Sequence, residues 1–332
     1  MKKHFTVVLV AAMIVSAIWG GKAMAADTRH PQVKVSIYCS SFGTAGYTAA
    51  FALGDLINKN HPWLRVAVME TTQAADAIKT VWNDPQSRKN SMFPVASSLH
   101  YDTVSGKGSF AGKPVPYQAL AMYSANAVAF CTLDPKIQTM SDLNGKRISI
   151  GSAGGAAPPN EAILAAYGIK PAKVEKISWE PGKDALIDGK VDACAQTLGD
   201  TSLTPYTPTA AVHQLLTKKG FHIIPMDKDM LKKAAETQLI SFVEIRAGIL
   251  NLSKPAIASQ NFNTWSVCPE FDPEIAYEIV KFIAENATAF AGYDKSLASV
   301  KKDTLAAMSI PPVVLHPSAE KYYKEAKIKI GL

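Results

Sequence analysis

Two short stretches combine glycine with small side chains in the manner of anion-binding turns: Gly43-Thr44-Ala45-Gly46-Tyr47 and Gly151-Ser152-Ala153-Gly154-Gly155-Ala156. Each follows an apolar run and precedes a helical pattern. Backbone N–H groups therefore collect at a helix N-terminus, where unsatisfied donors and the helix dipole favour a carboxylate or another small anion. The specific nucleotide versions are missing. The first stretch has no Gly-Lys-Ser/Thr, and the second fits neither the P-loop spacing nor Gly-x-Gly-x-x-Gly. Small-anion binding is the chemistry that survives, beside the plain use of the same glycines as tight strand-to-helix turns.

Catalytic patterns are weaker. Ser152 stands one position too early for a Gly-x-Ser-x-Gly nucleophile elbow, and Ser299-Val300-Lys301-Lys302 matches Ser-x-x-Lys without the companion Ser-Asp-Asn and Lys-Thr-Gly elements. An exported hydrolase using Ser152 is the enzyme reading, and the sequence lends it little. His30, His61, His100, His213, His222 and His316 form no metal-binding pair at His-Glu-x-x-His or His-x-His spacing. His61 and His316 each precede proline and read as turn residues. No two carboxylates stand out as general acid and base, although such pairs are often remote in sequence.

The elements that must position the glycine turns alternate between strand and helix. Val33 to Cys39 alternates as a strand, a helix with Phe51, Leu53, Leu56 and Ile57 on its apolar face runs from about Thr48 to Asn60, and His61-Pro62 stops it. Leu64 to Met69, Ala74 to Trp82 and Ser91 to Ser97 continue as strand, helix, strand. The plan then recurs without copying the sequence. Strands are expected at Asn126 to Leu133, Arg147 to Gly151, Lys176 to Trp179 and Val191 to Thr197, a helical turn at Met140 to Leu143, and helices at Pro159 to Tyr167 and Lys183 to Asp188. Asp272 as N-cap and Pro273 in the first turn open a helix to about Asn286, and a last amphipathic helix carries Tyr322 and Tyr323. Alternating β and α implies an α/β fold with a mostly parallel sheet.

A chain of 332 residues exceeds one ordinary core, so two lobes are expected. With 48% hydrophobic and 19% charged residues it has a globular composition, not a disordered one. Residues 1–25 read as a secretory signal peptide: Lys2, Lys3 and His4, an apolar run from Phe5 to Trp19, and Ala23-Met24-Ala25 as cleavage site. That run, about 15 residues, is short of the roughly 20 that span a bilayer. Removing Lys2, Lys3 and Lys22 with the leader lowers the formal charge from +7 to +4. The remaining lysines scatter among acids, as in Lys228-Asp229-Met230-Leu231-Lys232-Lys233, so nucleic acid is not an expected partner. Cys39, Cys131, Cys194 and Cys268 are too far apart for Cys-x-x-Cys chemistry, and four cysteines in an exported chain allow three pairings, with buried thiols an equal reading.

Several of these stretches resemble the TAXI-type solute receptors of TRAP transporters, a branch of the type II periplasmic binding proteins. The resemblance covers nearly the whole mature chain. It is carried by Asp142-Leu143-Asn144-Gly145-Lys146-Arg147-Ile148-Ser149-Ile150-Gly151, by Gly189-Lys190-Val191-Asp192-Ala193, by the Gly43 to Tyr47 loop, and most sharply by the ending Leu315-His316-Pro317-Ser318-Ala319-Glu320-Lys321-Tyr322-Tyr323-Lys324-Glu325. Three stretches depart from the family's pattern. Glu70-Thr71-Thr72-Gln73-Ala74-Ala75 stands for a Thr-Gly-Gly-Ser loop, Ala153-Gly154-Gly155-Ala156 lacks the usual hydroxyls, and Gly248-Ile249-Leu250-Asn251 replaces a Gly-Thr-Tyr-Pro segment. The ligand class is therefore not inherited with the frame.

The resemblance implies a two-lobed, Venus-flytrap α/β fold with two hinge-crossing strands, Asn126 to Leu133 and Asn261 to Cys268. Lobe I then takes residues 26–126 plus 262–332 and lobe II residues 127–261. A small solute is enclosed at the carboxyl ends of the strands. On that frame Thr44 and Tyr47 present hydroxyls, Thr71, Thr72 and Gln73 add donors, and the N–H groups of Gly154, Gly155 and Ala156 receive a carboxylate. Thr197, Gly199 and Asp200 face the same cleft, and Arg246 is the candidate clamp for a carboxylate. Trp265 and Tyr206 are further lining candidates, with core packing the stronger reading for Trp265. The usual strand order of the fold sets Cys131 and Cys194 on adjacent antiparallel strands as a candidate disulfide. The expected protein is a periplasmic, monomeric receptor for a small organic anion that docks on a TRAP-type membrane permease and needs no cofactor. A periplasmic sensor feeding a signalling partner is the alternative.

Overall fold

The structure, a computed structural model, describes residues 31–42, 44–153, 156–307 and 314–331. The leader expected at 1–25 and the glycines Gly43, Gly154 and Gly155 lie outside them. Among the described residues the strands are β1 (Val33–Cys39), β2 (Leu64–Glu70), β3 (Ser91–Ala96), β4 (Gln118–Thr132), β5 (Arg147–Ser149), β6 (Lys173–Glu175), β7 (Ala193–Gly199), β8 (His222–Ile224), β9 (Ser241–Ile245) and β10 (Ala256–Val267). They form one mixed sheet in the order β2-β1-β3-β10-β4-β7-β5-β6, with β8 added to β4 and β9 to β10.

Local chemistry explains the elements. In β1 the alternation buries Val35, Ile37 and Cys39 on one face. Thr44 caps the helix Ala45–Asn60 by accepting the Tyr47 N–H, and Asp272 caps Pro273–Glu285 by accepting from Glu274 and Ile275. His61 and His316 are turn residues, as expected. His61 Nδ1 accepts the Leu64 N–H at 3.0 Å, and His316 Nδ1 accepts that of Ser318 at 3.2 Å to cap the helix Pro317–Glu325.

Two strands are long enough to belong to both halves of the sheet. β10 pairs with β9 through Ala256–Gln260 and with β3 through Asn263–Val267. β4 pairs antiparallel with β10 from Gln118 to Val128 and with β7 from Ala127 to Thr132, and Asn126 stands opposite Asn261. One apolar cluster, with Leu53, Ile57, Trp265, Ile279 and Phe290, serves the β1–β2–β3 half. Another, with Ile148, Ile163, Ala193 and Leu231, serves the β5–β6–β7 half. The two-lobed α/β architecture with two crossing strands is thus the one observed. Arg147 and Asp192, from two of the motifs singled out in sequence, form an ion pair at 2.6 Å that ties β5 to the turn before β7.

Some expectations are corrected. The stretch Lys176 to Trp179 is not a strand: β6 lies at Lys173–Glu175, and Trp179 already opens a helix, Trp179–Ile187. β4 begins at Gln118 and not near Asn126, and β10 at Ala256 and not near Asn261. The helices Ser97–Ser105, Ala210–Leu216 and Lys228–Ala234 carried no sequence signal strong enough to be expected.

Candidate functional site

The crossing of β4 and β10 is flanked by two recesses. The larger is a cavity of about 140 Å³. Its apolar wall comes from the crossing strands, with Met122 and Ala125 from β4 and Phe262 from β10. Its polar wall includes Asp200, Ser299 and Lys301. Asp200 follows β7 directly, where Gly199 at φ +86° turns the chain in a way that a side chain would oppose. Ser299 ends the short helical turn Lys295–Ser299, which Asp294 caps through the Ser296 N–H at 2.8 Å.

The charges are unequally engaged. Asp200 Oδ1 accepts the Ser202 N–H at 2.9 Å and its hydroxyl at 2.6 Å, and Oδ2 accepts the Ser299 hydroxyl at 2.8 Å. Lys301 borders the same cavity and forms no ion pair among the described residues.

The smaller recess, about 20 Å³, is bordered by Ser97, Ala156, Asn160, Trp179, Ser259 and Asn261. Successive residues of a strand point to opposite faces, so Ser259 and Asn261 reach this recess while Phe262 reaches the larger one; Gln260 borders both. Asn261 Oδ1 is buried here without a hydrogen-bond partner. Ser97 Oγ accepts the Phe262 N–H at 3.2 Å, and Asn160 Nδ2 donates to the Ile150 carbonyl at 3.0 Å.

Of the residues singled out in sequence, Asp200 borders the larger recess and Ala156 the smaller. Several of the others have local uses. The Thr44 hydroxyl donates to the Ser41 carbonyl at 2.8 Å while accepting the Tyr47 N–H, and Tyr47 packs between Phe42 and Phe51. The Thr71 hydroxyl donates to the Cys39 carbonyl at 2.8 Å; Thr72 and Gln73 are exposed. The Thr197 carbonyl accepts the Thr209 hydroxyl at 2.9 Å. Arg246 spends its guanidinium on the carbonyls of Thr201 at 2.6 Å and Leu203 at 2.8 Å, fixing the loop that carries Asp200. Tyr206 donates its hydroxyl to the Leu198 carbonyl at 2.6 Å. Trp265 is fully buried between Tyr123 and Phe290, a core residue.

Sequence reasoning missed Lys301, Ser202, Phe262, Trp179 and Asn261 as site residues. Ser299 does stand out in sequence, as the serine of a Ser-x-x-Lys pattern whose lysine is Lys302 and which passes over Lys301, but that pattern speaks only to covalent catalysis. In the fold the Ser299 hydroxyl is bound to a carboxylate. Cys131 and Cys194 face each other across β4 and β7 as unlinked thiols. Among the described residues no three His, Cys, Asp or Glu side chains converge to hold a metal ion, and no helix is long and apolar enough to cross a membrane.

Residues 37–326 match the profile of the NMT1-like family. The chain belongs to that family. The match takes in every residue that borders the two recesses of this NMT1-like protein, from Ser97 to Ala307. Similar solved structures include MatC from Rhodopseudomonas palustris with bound malate, 12% identical over 80% of this chain and 89% of that one, TM-score 0.48. A TctC solute binding protein from Polaromonas is 14% identical over 80% and 87%, TM-score 0.48. The periplasmic aliphatic sulphonate binding protein SsuA from Escherichia coli is 13% identical over 89% and 84%, TM-score 0.46.

Proposed function

We propose that this NMT1-like protein is an extracytoplasmic solute receptor. It captures a small organic anion, a carboxylate or amino acid, between its lobes and delivers it to the membrane permease of a TRAP-type secondary transporter. The leader 1–25 directs it to the periplasm. Lobe I comprises 26–126 and 262–332, lobe II comprises 127–261, and the receptor works as a monomer without a cofactor and without catalysis. The observation that carries this reading is the larger recess, where Lys301 of the first lobe and Asp200 of the second line one cavity beside the crossing strands.

Each group then has a role. Lys301 supplies the counter-charge for the anion, Asp200 with its serine donors orients an amino or hydroxyl group, and Met122 and Phe262 cover the apolar part. A solute touching both lobes favours the closed form by its differential affinity, and the closed form is what a permease would recognise.

The test is a thermal-shift panel on the mature, ligand-stripped protein with amino acids, dicarboxylates, 2-oxo acids, aromatic acids and sulfonates. At 100 times the dissociation constant a bound solute adds about 2.7 kcal/mol of stability. A rise in melting temperature confined to one acid class supports the receptor and identifies its cargo. No rise with any acid rejects anion capture.

A further inference from the structure

Four cysteines survive export, and the fold sorts them. Cys39 closes β1 inside the cluster built on Leu53, Ile57 and Ile279. Cys268 follows β10 inside a different cluster with Phe93, Phe110 and Tyr117. Cys131 and Cys194 share a third cluster, on β4 and β7. The antiparallel register places these two directly opposite each other. Opposed residues of an antiparallel pair project to the same face, with Cα atoms about 4.5 or 5.5 Å apart according to their place in the ladder. Both separations lie inside the roughly 4.4–6.8 Å range that a disulfide bridges. Cysteines held in separate cores have no such route to each other.

We infer that Cys131 and Cys194 are oxidised to a single disulfide while the chain folds, and that Cys39 and Cys268 remain thiols. The step is thiol–disulfide exchange with a disulfide-bearing oxidant. The thiolate of one cysteine attacks a sulfur of the oxidant, forming a mixed disulfide and releasing the oxidant's other sulfur as a thiolate. The second cysteine thiolate then attacks the mixed disulfide at the protein sulfur. The protein loses two protons and two electrons, and the two sulfurs of the oxidant's disulfide leave as thiols.

Timing follows from burial. Both side chains are wholly inaccessible in the folded chain, and burial pushes the Cys194 thiol up to about 12 and Cys131 well above its ordinary value. A buried thiol kept protonated is a poor nucleophile, and no oxidant reaches it. The bond therefore closes before β4 and β7 are sealed under the helices Trp179–Ile187 and Ala210–Leu216. Once closed, it is shielded from reductants until the lobe unfolds.

The place of oxidation rests on the export proposed above; the geometry does not, and the test separates them. Full-length protein is exported, quenched in acid, denatured and alkylated with N-ethylmaleimide, and a second sample of the mature chain is refolded with a glutathione redox pair. Two adducts before reduction and four after it, with a linked peptide joining Cys131 to Cys194, is the expected result in both samples. Four adducts before reduction in both, or a link that includes Cys39 or Cys268, overturns the proposal. Four adducts from the first sample with two from the second upholds the pairing and overturns the export. A Cys39→Ala/Cys268→Ala variant should keep the link and show no adduct before reduction; its loss there would also overturn the assignment.

Discussion

The Ser299 hydroxyl donates to Asp200 Oδ2 at 2.8 Å, joining positions 99 residues apart in the chain and tying the turn after the last long helix to the loop after β7. Ser299 is only 4% exposed, so its hydroxyl has no free exchange with water. The bond forms one wall of the larger recess and couples its two sides.

Replacing Ser299 by alanine removes that coupling. Asp200 keeps its two bonds from Ser202, so the loss is that of one buried hydrogen bond to a charged group, about 1–3 kcal/mol. For a domain of this size each kcal/mol lowers the melting temperature by about 2–4 °C. Calorimetry should show a fall in that range, and titration with the acid identified by the panel should show weaker binding. Unchanged melting with unchanged affinity would mean that the two sides are not coupled here.

Lys301 is the sharper probe of solute chemistry because it is exposed and contributes little to folding. A Lys301→Met change should leave the melting temperature of the unliganded protein nearly unaltered, since surface substitutions usually stay within about 0.5 kcal/mol. Affinity for a carboxylate should fall by about tenfold or more, the effect of losing one charge-assisted hydrogen bond. Raising ionic strength should weaken binding to the parent protein more than to the variant. Equal affinity in both proteins would remove Lys301 from the site.

The frame of this molecule was legible where local chemistry agrees with tertiary structure. Asp272-Pro273 marks a helix start in any context, and Val33 to Cys39 alternates because only one face meets the core. The helix Ser97–Ser105 follows β3 with no intervening breaker, so no residue announces the change. Ala119 to Tyr123 is apolar on both faces because β4 lies inside the sheet, which erases the alternation that would reveal it. The site was less legible for a related reason. Asp200 could be placed at a strand end, but Lys301 belongs to it only through a fold that brings residues 200 and 299 together, and the choice between a local bond and a ligand contact for the hydroxyls of Thr44 and Thr71 rests on backbone acceptors that are invisible in sequence.

Arg246 was expected to clamp a carboxylate and instead holds the Thr201 and Leu203 carbonyls. Arg246→Met should therefore act first on stability, releasing two part-buried carbonyls and lowering the melting temperature by the equivalent of about 1–3 kcal/mol. Solute affinity should fall less than in Lys301→Met, because Asp200 is displaced while the anion's own partner stays. A larger affinity loss than that of Lys301→Met, with stability intact, would restore the clamp.

His100 gives the fold a pH dependence of predictable sign. It is 2% exposed, Nδ1 lies 2.6 Å from the Tyr117 hydroxyl, and Nε2 is buried without a partner. Desolvation lowers its folded value to about 4 from an ordinary 6.5. Between those values the unfolded chain takes up a proton that the folded chain refuses. The contribution is complete above pH 6.5, declines by at most about 1.4 kcal/mol per pH unit on acidification, and is lost below pH 4. His61 and His316 are shifted the same way, also chiefly by burial, and steepen the decline. Urea denaturation at intervals from pH 7 to pH 4 should show stability falling throughout. His100→Phe removes one titrating group, so its stability should fall less steeply over the same window whatever its absolute value; parallel profiles for the two proteins would show that His100 does not titrate with unfolding.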